Sequence, residues 1–298
     1  MPVWLVKSKD DAQKYIEEQL RRLQTDVVDL YLLHGLDESS WKIVQENDIL
    51  GFLERVQRAG KIRHAGFSFH DALPLFKEII DAYPWKFCLI QINYVDDREQ
   101  AGIEGLEYAH EKGMGVMVME PLRGGKLANH IPHDVLEVIK RSRWNDTPAH
   151  FALRWIWNRP EVGCMLSGMT TLEQVKENIR FASEDHVGTL TEEDLTVYAR
   201  AKEIYRSRMK VNCTRCGYCV PCAQHISIPY VLELYNDACV FDALEDSRWC
   251  YRVFVKPESR ADQCTECGEC EEKCPQHIPI IEALKAAHDM LDTEGGKR

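Results

Sequence analysis

From Asp10 to about residue 183 the chain alternates two patterns of apolar residues. In the first, apolar positions recur near the 3.6-residue period: Ala12, Tyr15, Ile16, Leu20 and Leu23 fall together if Asp10 to Leu23 is helical. The second is a short run that is apolar on both faces, first met at Val27 to His34. Four more such runs follow, at His64 to Phe69, Phe87 to Tyr94, Gly115 to Glu120 and Gly163 to Ser167. Helical segments near 48–59, 71–81, 101–112, 133–143, 147–158 and 171–183 lie between or beside them. Strands buried on both faces and joined through helices are parallel strands with crossovers, so the pattern predicts βαβ units. The punctuation agrees. Gly60 and Gly113 follow helices, and Thr147-Pro148 places a capping hydroxyl before a proline at the first helical position.

After Thr191 the pattern changes. A helix from Thr191-Glu-Glu-Asp to about Met209 leads into a cysteine-rich region, in which Ile228 to Asn236 and Ile278 to His288 read as helices starting near a proline. No internal repeat or low-complexity segment is evident, and only Thr293 to Arg298 reads as disordered.

Charge and composition exclude some partners. A net charge of −11 over 298 residues argues against a nucleic-acid surface. No apolar run approaches the roughly 20 residues of a membrane span, and Met1 to Asp11 lacks a signal peptide's basic and apolar regions, so the expected location is cytoplasmic. In that compartment twelve cysteines are many, and disulfides rarely persist. Eight stand in two runs, Cys213-Thr-Arg-Cys-Gly-Tyr-Cys-Val-Pro-Cys222 and Cys264-Thr-Glu-Cys-Gly-Glu-Cys-Glu-Glu-Lys-Cys274. Cys88 and Cys164, in apolar runs, are expected as small core residues.

The second run, C-x2-C-x2-C-x3-C followed by Pro275, has the spacing by which bacterial ferredoxins hold iron–sulfur clusters; the first is one residue shorter. Three thiolates on a tight turn cover one face of a cubane, and in two-cluster ferredoxins the fourth comes from the other run. Crossing the fourth ligands predicts one [4Fe–4S] cluster on Cys213, Cys216, Cys219 and Cys274, and a second on Cys264, Cys267, Cys270 and Cys222. Structural zinc is the alternative, although zinc ribbons present pairs of cysteines rather than triplets. The region resembles the α-helical ferredoxin modules of larger oxidoreductases, which implies electron transfer with a redox partner protein.

The first two-thirds resembles the aldo-keto reductase family, in its ferredoxin-bearing branch. The likeness begins at Asp29-Leu-Tyr-Leu-Leu-His34 and runs through Gly66-Phe-Ser68, Gln91-Ile-Asn-Tyr94 and Glu120-Pro-Leu-Arg-Gly-Gly125 to Leu166-Ser-Gly-Met-Thr-Thr-Leu-Glu-Gln-Val-Lys-Glu-Asn178. It implies a (β/α)8 TIM barrel, with its site at the C-terminal strand ends, an NAD(P)(H) cofactor and a small-molecule substrate. It also implies site roles. His34 matches the histidine that orients and polarises a substrate carbonyl, and Gln91 the side chain that binds the nicotinamide carboxamide. Leu122 and Gly124 match the loop along the pyrophosphate, and Gly168, Thr170, Glu177 and Asn178 the segment around the adenosine. Three positions depart from the family. Met119 stands where an aromatic residue usually underlies the nicotinamide, Gln174 replaces a basic residue that grips a 2′-phosphate, and Phe69 replaces the asparagine beside Ser68.

Five strand patterns are present where the barrel has eight. The resemblance assigns the missing three the family's catalytic aspartate, tyrosine and lysine, and likens Met1-Pro2-Val3-Trp4 to the turn after strand three. The expectation is a partial barrel over 1–187, a connecting helix over 188–210 and a ferredoxin-type domain over 211–298, in a fragment or a chain begun at an internal methionine. Its expected function is that of an iron–sulfur oxidoreductase coupling NAD(P)H and carbonyl chemistry to two clusters, impaired in this chain. A non-catalytic electron carrier with the barrel as docking scaffold is the alternative. Hydride moves two electrons and a cluster one, so a flavin or a partner enzyme must split the pair; no flavin motif is visible.

Overall fold

A computed structural model describes residues 1–144, 146–213, 215 and 217–292. The chain divides into two compact units, Met1–Gly124 with Ala149–Thr191 and Gly125–Pro148 with Glu192–Arg298. Residues 125–148 therefore fold with the C-terminal region.

In the first unit β1 (Val28–Leu36), β2 (Ile62–Phe69), β3 (Phe87–Gln91), β4 (Gly115–Met119) and β5 (Val162–Met165) form one sheet in that order. All four pairings are parallel, with Val28 opposite Ile62, Gly66 opposite Phe87, Phe87 opposite Gly115 and Val116 opposite Val162. The five predicted strands are thus present, within a few residues at each end. Helix α1 (Lys9–Leu23) precedes β1, α2 (Glu38–Glu46) and α3 (Ile49–Arg58) connect β1 to β2, α4 (Leu73–Ala82) leads to β3 and α5 (Gly102–Glu111) to β4. In the second unit the chain then forms α6 (Lys126–Asn129) and α7 (His133–Lys140), and it returns through α8 (Pro148–Trp157) to β5 and α9 (Leu172–Glu184).

The sheet has one covered and one open face, because successive side chains point to opposite sides. On the covered face Leu33, Phe67, Ile90 and Val118 are fully buried, and Phe67 and Phe69 meet Phe76 of α4 with ring centroids 5.8 and 5.0 Å apart. On the other, Leu30 is 45% exposed and borders a shallow concavity of about 410 Å³ with His64, Phe87, Met117 and Cys164. This is a partial barrel whose inward face looks onto solvent. Cys88 lies in the core as expected, its thiol pKa pushed up to about 12 by burial. Cys164 does not: it is exposed, because β5 is an edge strand and Cys164 borders the open face. Along the outer edge of β1, Pro2 makes one parallel bridge to His34.

The second unit is helical, adding α10 (Glu192–Ser207), α11 (Ile228–Val240), α12 (Leu244–Phe254), α13 (Glu269–Glu272) and α14 (Ile280–Leu291). Ile228, Val231, Leu232, Tyr251 and Leu284 form its buried centre, with seven of the described cysteines packed in or against it, among them Cys274 at 8% exposure. Ion pairs tie the 125–148 segment in, among them Lys126 to Asp237 at 2.9 Å, and Arg143 to Asp194, at 2.6 Å from Nη2. Among the described residues, no helix is long and apolar enough to cross a membrane.

Candidate functional site

The two cysteine runs fold into matching loops. Arg215 and Gly217 in the first have φ of +56° and +78°, and Glu266 and Gly268 in the second +57° and +82°. Left-handed residues at these places curl the backbone, and glycine takes that conformation without strain. The likeness extends beyond the cysteines to a repeat that the sequence patterns above do not show. Gln224-His225-Ile226 and Gln276-His277-Ile278 follow the fourth cysteine of each run at the same distance. His225 and His277 have φ of +57° and +51°, and their N–H groups donate to Cys222 O and Cys274 O at 2.9 and 3.0 Å. The one-residue difference between third and fourth cysteines breaks the register and hides the repeat, which the shared Gln-His-Ile would have revealed.

The seven described thiols of the two runs divide between two concavities. Cys222, Cys264, Cys267 and Cys270 line one, whose wall Cys219 also reaches. Cys213, Cys219 and Cys274 line the other. Cys216, the remaining predicted ligand, lies outside the described residues. The fourth cysteine of each run therefore sits in the concavity of the other run, as crossed ligation requires. Among the described residues no three His, Cys, Asp or Glu side chains are arranged to hold a single metal ion. An all-thiol donor set in two pouches, each walled by apolar residues such as Ile226 and Ile278, fits a pair of iron–sulfur clusters.

In the first unit, the predicted nucleotide and substrate residues are strung along the C-terminal edge of the sheet and the loops that follow it. His34, near the end of β1, is exposed; its N–H donates to Met1 O at 2.8 Å and its ring meets Trp4 edge-on at 4.9 Å. Ser68, 1% exposed, accepts from the Gly35 N–H at 2.8 Å and so fixes the turn after His34. Ser68→Ala leaves that amide without its acceptor, and unfolding in urea should show a loss of about 1–3 kcal/mol. Phe69, the departure beside Ser68, belongs to the covered core.

Gln91 ends β3, and its Oε1 accepts from Gln100 Nε2 at 3.2 Å. Beside it the sequence reading missed a polar group. Asn93, fully buried, accepts the N–H groups of Val95 and Asp96 at 3.0 and 2.9 Å, forming a turn that presents Asp96 to Arg123 at 2.9 Å. This ion pair steadies the loop bearing Leu122 and Gly124, where Glu120, Arg123 and Gly124 all have positive φ. His70, also missed, has its pKa lowered by partial burial and then by nearby His34, against a hydrogen bond with Gln100.

Gly168 and Thr170 lie in the exposed loop after β5, and Glu177 and Asn178 on α9. Asn178 Nδ2 donates to Ser167 Oγ at 3.0 Å, whereas Glu177 is exposed. Gln174 is occupied by the helix cap: its Oε1 accepts from the Thr170 and Thr171 N–H groups at 2.7 and 3.1 Å. The edge thus gathers Gln91, Leu122 and Gly124 on adjacent strand ends, while His34 and the α9 residues belong to opposite ends of the sheet.

Fold and motifs together define a reductase half-barrel joined to a ferredoxin-like unit. Residues 6–196 match the aldo/keto reductase family, and residues 212–279 match a 4Fe-4S dicluster domain. The chain belongs to the aldo/keto reductase family. It is 28% identical over 200 residues to the L-galactose dehydrogenase of Arabidopsis thaliana, covering 59% of each chain. It is 25% identical over 203 residues to the NADH-specific methylglyoxal reductase of Escherichia coli, covering 58% of this chain and 59% of that one. The holo form of an aldo-keto reductase from Bacillus halodurans superposes with a TM-score of 0.55 at 24% identity, over 65% of both chains, and supports the fold. The chain spans about three-fifths of the length of these curated relatives.

Proposed function

We propose that the chain is an iron–sulfur oxidoreductase that couples nicotinamide-dependent carbonyl chemistry to single-electron transfer through two [4Fe–4S] clusters. The observation that carries this reading is the crossed division of the thiols between two concavities. Cys213, Cys216, Cys219 and Cys274 would hold one cluster, and Cys264, Cys267, Cys270 and Cys222 the other. Bound clusters supply one-electron steps to and from a redox partner protein. In the first unit Gln91 would orient a nicotinamide carboxamide, Leu122 and Gly124 would follow the pyrophosphate, and Gly168, Thr170, Glu177 and Asn178 would enclose the adenosine. With Gln174 committed to its cap and no cation in its place, NAD is favoured over NADP. His34 would polarise a small carbonyl substrate.

A second reading is favoured by the open sheet face and by Phe69 and Gln174, whose side chains serve core and cap. In it the first unit docks a partner and the chain only carries electrons. Purification without oxygen should give brown protein with about eight irons per chain, and a fluorescence titration with NADH separates the two readings. Saturable binding supports the enzyme. Clusters without NADH binding support the carrier, and colourless protein containing zinc refutes both.

A further inference from the structure

The repeat of the two cysteine runs continues into the helices that follow them. Counted from the fourth cysteine of each run, Glu233 and Lys285 stand at one matching place, and Asn236 and His288 at another, three residues on. At that spacing the two members of each set share a face, of α11 in the first case and of α14 in the second. Each face reaches back to its own run. Arg215 of the first loop pairs with Glu233 at 3.0 Å; Glu266, at the same place in the second loop, pairs with Lys285 at 2.8 Å, with the charges exchanged.

Asn236 and His288 act further upstream, where the chain enters each run. Asn236 Oδ1 accepts from the N–H groups of Lys210 and Val211, both at 3.0 Å, and its Nδ2 donates to Val211 O at 2.7 Å. Val211 O also accepts from the Cys213 N–H at 2.8 Å, in a three-residue turn that ends on the cysteine. His288 works through one intermediary. The hydroxyl of buried Tyr251 accepts from the Ala261 N–H at 3.0 Å and meets His288 Nδ1 at 3.1 Å, and Ala261 O accepts from the Cys264 N–H at 3.1 Å. The first cysteine of each run is thus bonded through its own amide to a residue that a helix side chain holds in place.

Groups beyond the ligands themselves fix how a ligand meets its metal. On the reading that both sites hold [4Fe–4S] clusters, we propose that Asn236 and the Tyr251–His288 pair are their positioning residues. Asn236 delivers Cys213 to one cluster, Tyr251 with His288 delivers Cys264 to the other, and each cluster is held by a brace of its own. An asparagine fits the first place because its amide carries an acceptor and donors side by side, as the two N–H groups and one carbonyl of Lys210 and Val211 require. Aspartate there would keep the acceptor but set a carboxylate against Val211 O. At the second place one N–H is held, and a single hydroxyl suffices.

The test uses the full chain purified without oxygen, with iron counted and its release to a chelator followed by absorbance. Asn236→Ala should lower iron from about eight to about four per chain. Adding Cys213→Ala should then remove no more, whereas adding Cys264→Ala should remove the rest. His288→Ala should show the reverse dependence. Milder changes guard against variants that assemble poorly. In Cys264→Ala, which keeps only the Cys213 cluster, Asn236→Asp should release iron about tenfold faster, the ratio that the loss of one hydrogen bond gives. In Cys213→Ala, which keeps only the other cluster, Asn236→Asp should change nothing, and Tyr251→Phe should reverse this pattern. A merely structural role would move both clusters together. Equal effects on both, no effect on either, or loss of both clusters from either cysteine variant would overturn the assignment of separate braces while leaving the two-cluster reading intact. Unaltered chain that holds no iron would overturn both.

Discussion

Cys274→Ala is expected to strip one cluster from the chain and leave the other, lowering iron from about eight to about four per molecule. The informative experiment is a pair of double variants. Under crossed ligation Cys213 and Cys274 serve the same cluster, so Cys213→Ala with Cys274→Ala should cost no more iron than either change alone. Cys213→Ala with Cys222→Ala should remove both clusters. If each run instead closed its own site, the first double variant would lose everything and the second would keep half. The structure favours the crossed outcome because Cys274 lies in the pouch of Cys213 and Cys219, and Cys222 in that of Cys264, Cys267 and Cys270. Stability should fall with the iron. Cys274 is part of the buried centre of its unit, and Cys213, Cys219, Cys222, Cys264 and Cys270 pack against that centre. Metal bound between such side chains contributes directly to folding, so chelation should shift thermal unfolding of this unit to lower temperature.

Much of this was legible in the sequence, and the misses have physical causes. The five strands were found because parallel strands buried on both faces make unbroken apolar runs. The sixth part of the pattern, α2, escaped because its start signal is unusual: Asp37 accepts from the Ser40 N–H at 2.7 Å while Ser40 Oγ accepts from the Asp37 N–H at 2.8 Å, a capping box closed by serine rather than glutamate. Helix α12 escaped because Trp249, Val253 and Phe254 are apolar yet more than half exposed, which blurs its amphipathic face. The 4Fe-4S domain was legible because the spacing of its cysteines is local. The polar groups around Gln91 were not: Gln100 and Arg123 come from separate loops, and only the assembled sheet brings them beside β3. The same holds for Cys164, whose apolar run says strand but not that this strand is an edge.

A larger non-local feature lies between α8 and the end of α9, and Asp185→Ala is expected to destabilise the first unit by about 3–5 kcal/mol. The Asp185 side chain is 1% exposed; it bonds Arg154, and His150 Nε2 lies 3.0 Å from its Oδ2. Arg154 also reaches His150 Nε2 at 3.0 Å, and the imidazole stacks on Phe181 at 3.9 Å. Arg154 follows His150 by one helical turn, so α8 presents both to a single carboxylate. Removing the carboxylate takes the Asp185 partner from a buried guanidinium, and breaking a buried pair on one side costs more than the pair contributes over an apolar substitute. It also frees α9. Phe181 is the one buried residue of that helix, and Asp185, capping its C-terminus, is the next point that holds it to the unit. Urea unfolding followed by intrinsic fluorescence should therefore show a lower midpoint, and protease cleavage within residues 172–184 should quicken. Asp185→Asn keeps an acceptor but not the charge, and should fall between the two. A midpoint unchanged in Asp185→Ala would mean that His150 and Arg154 find other partners as good, and that α9 is held by something besides Phe181 and this carboxylate.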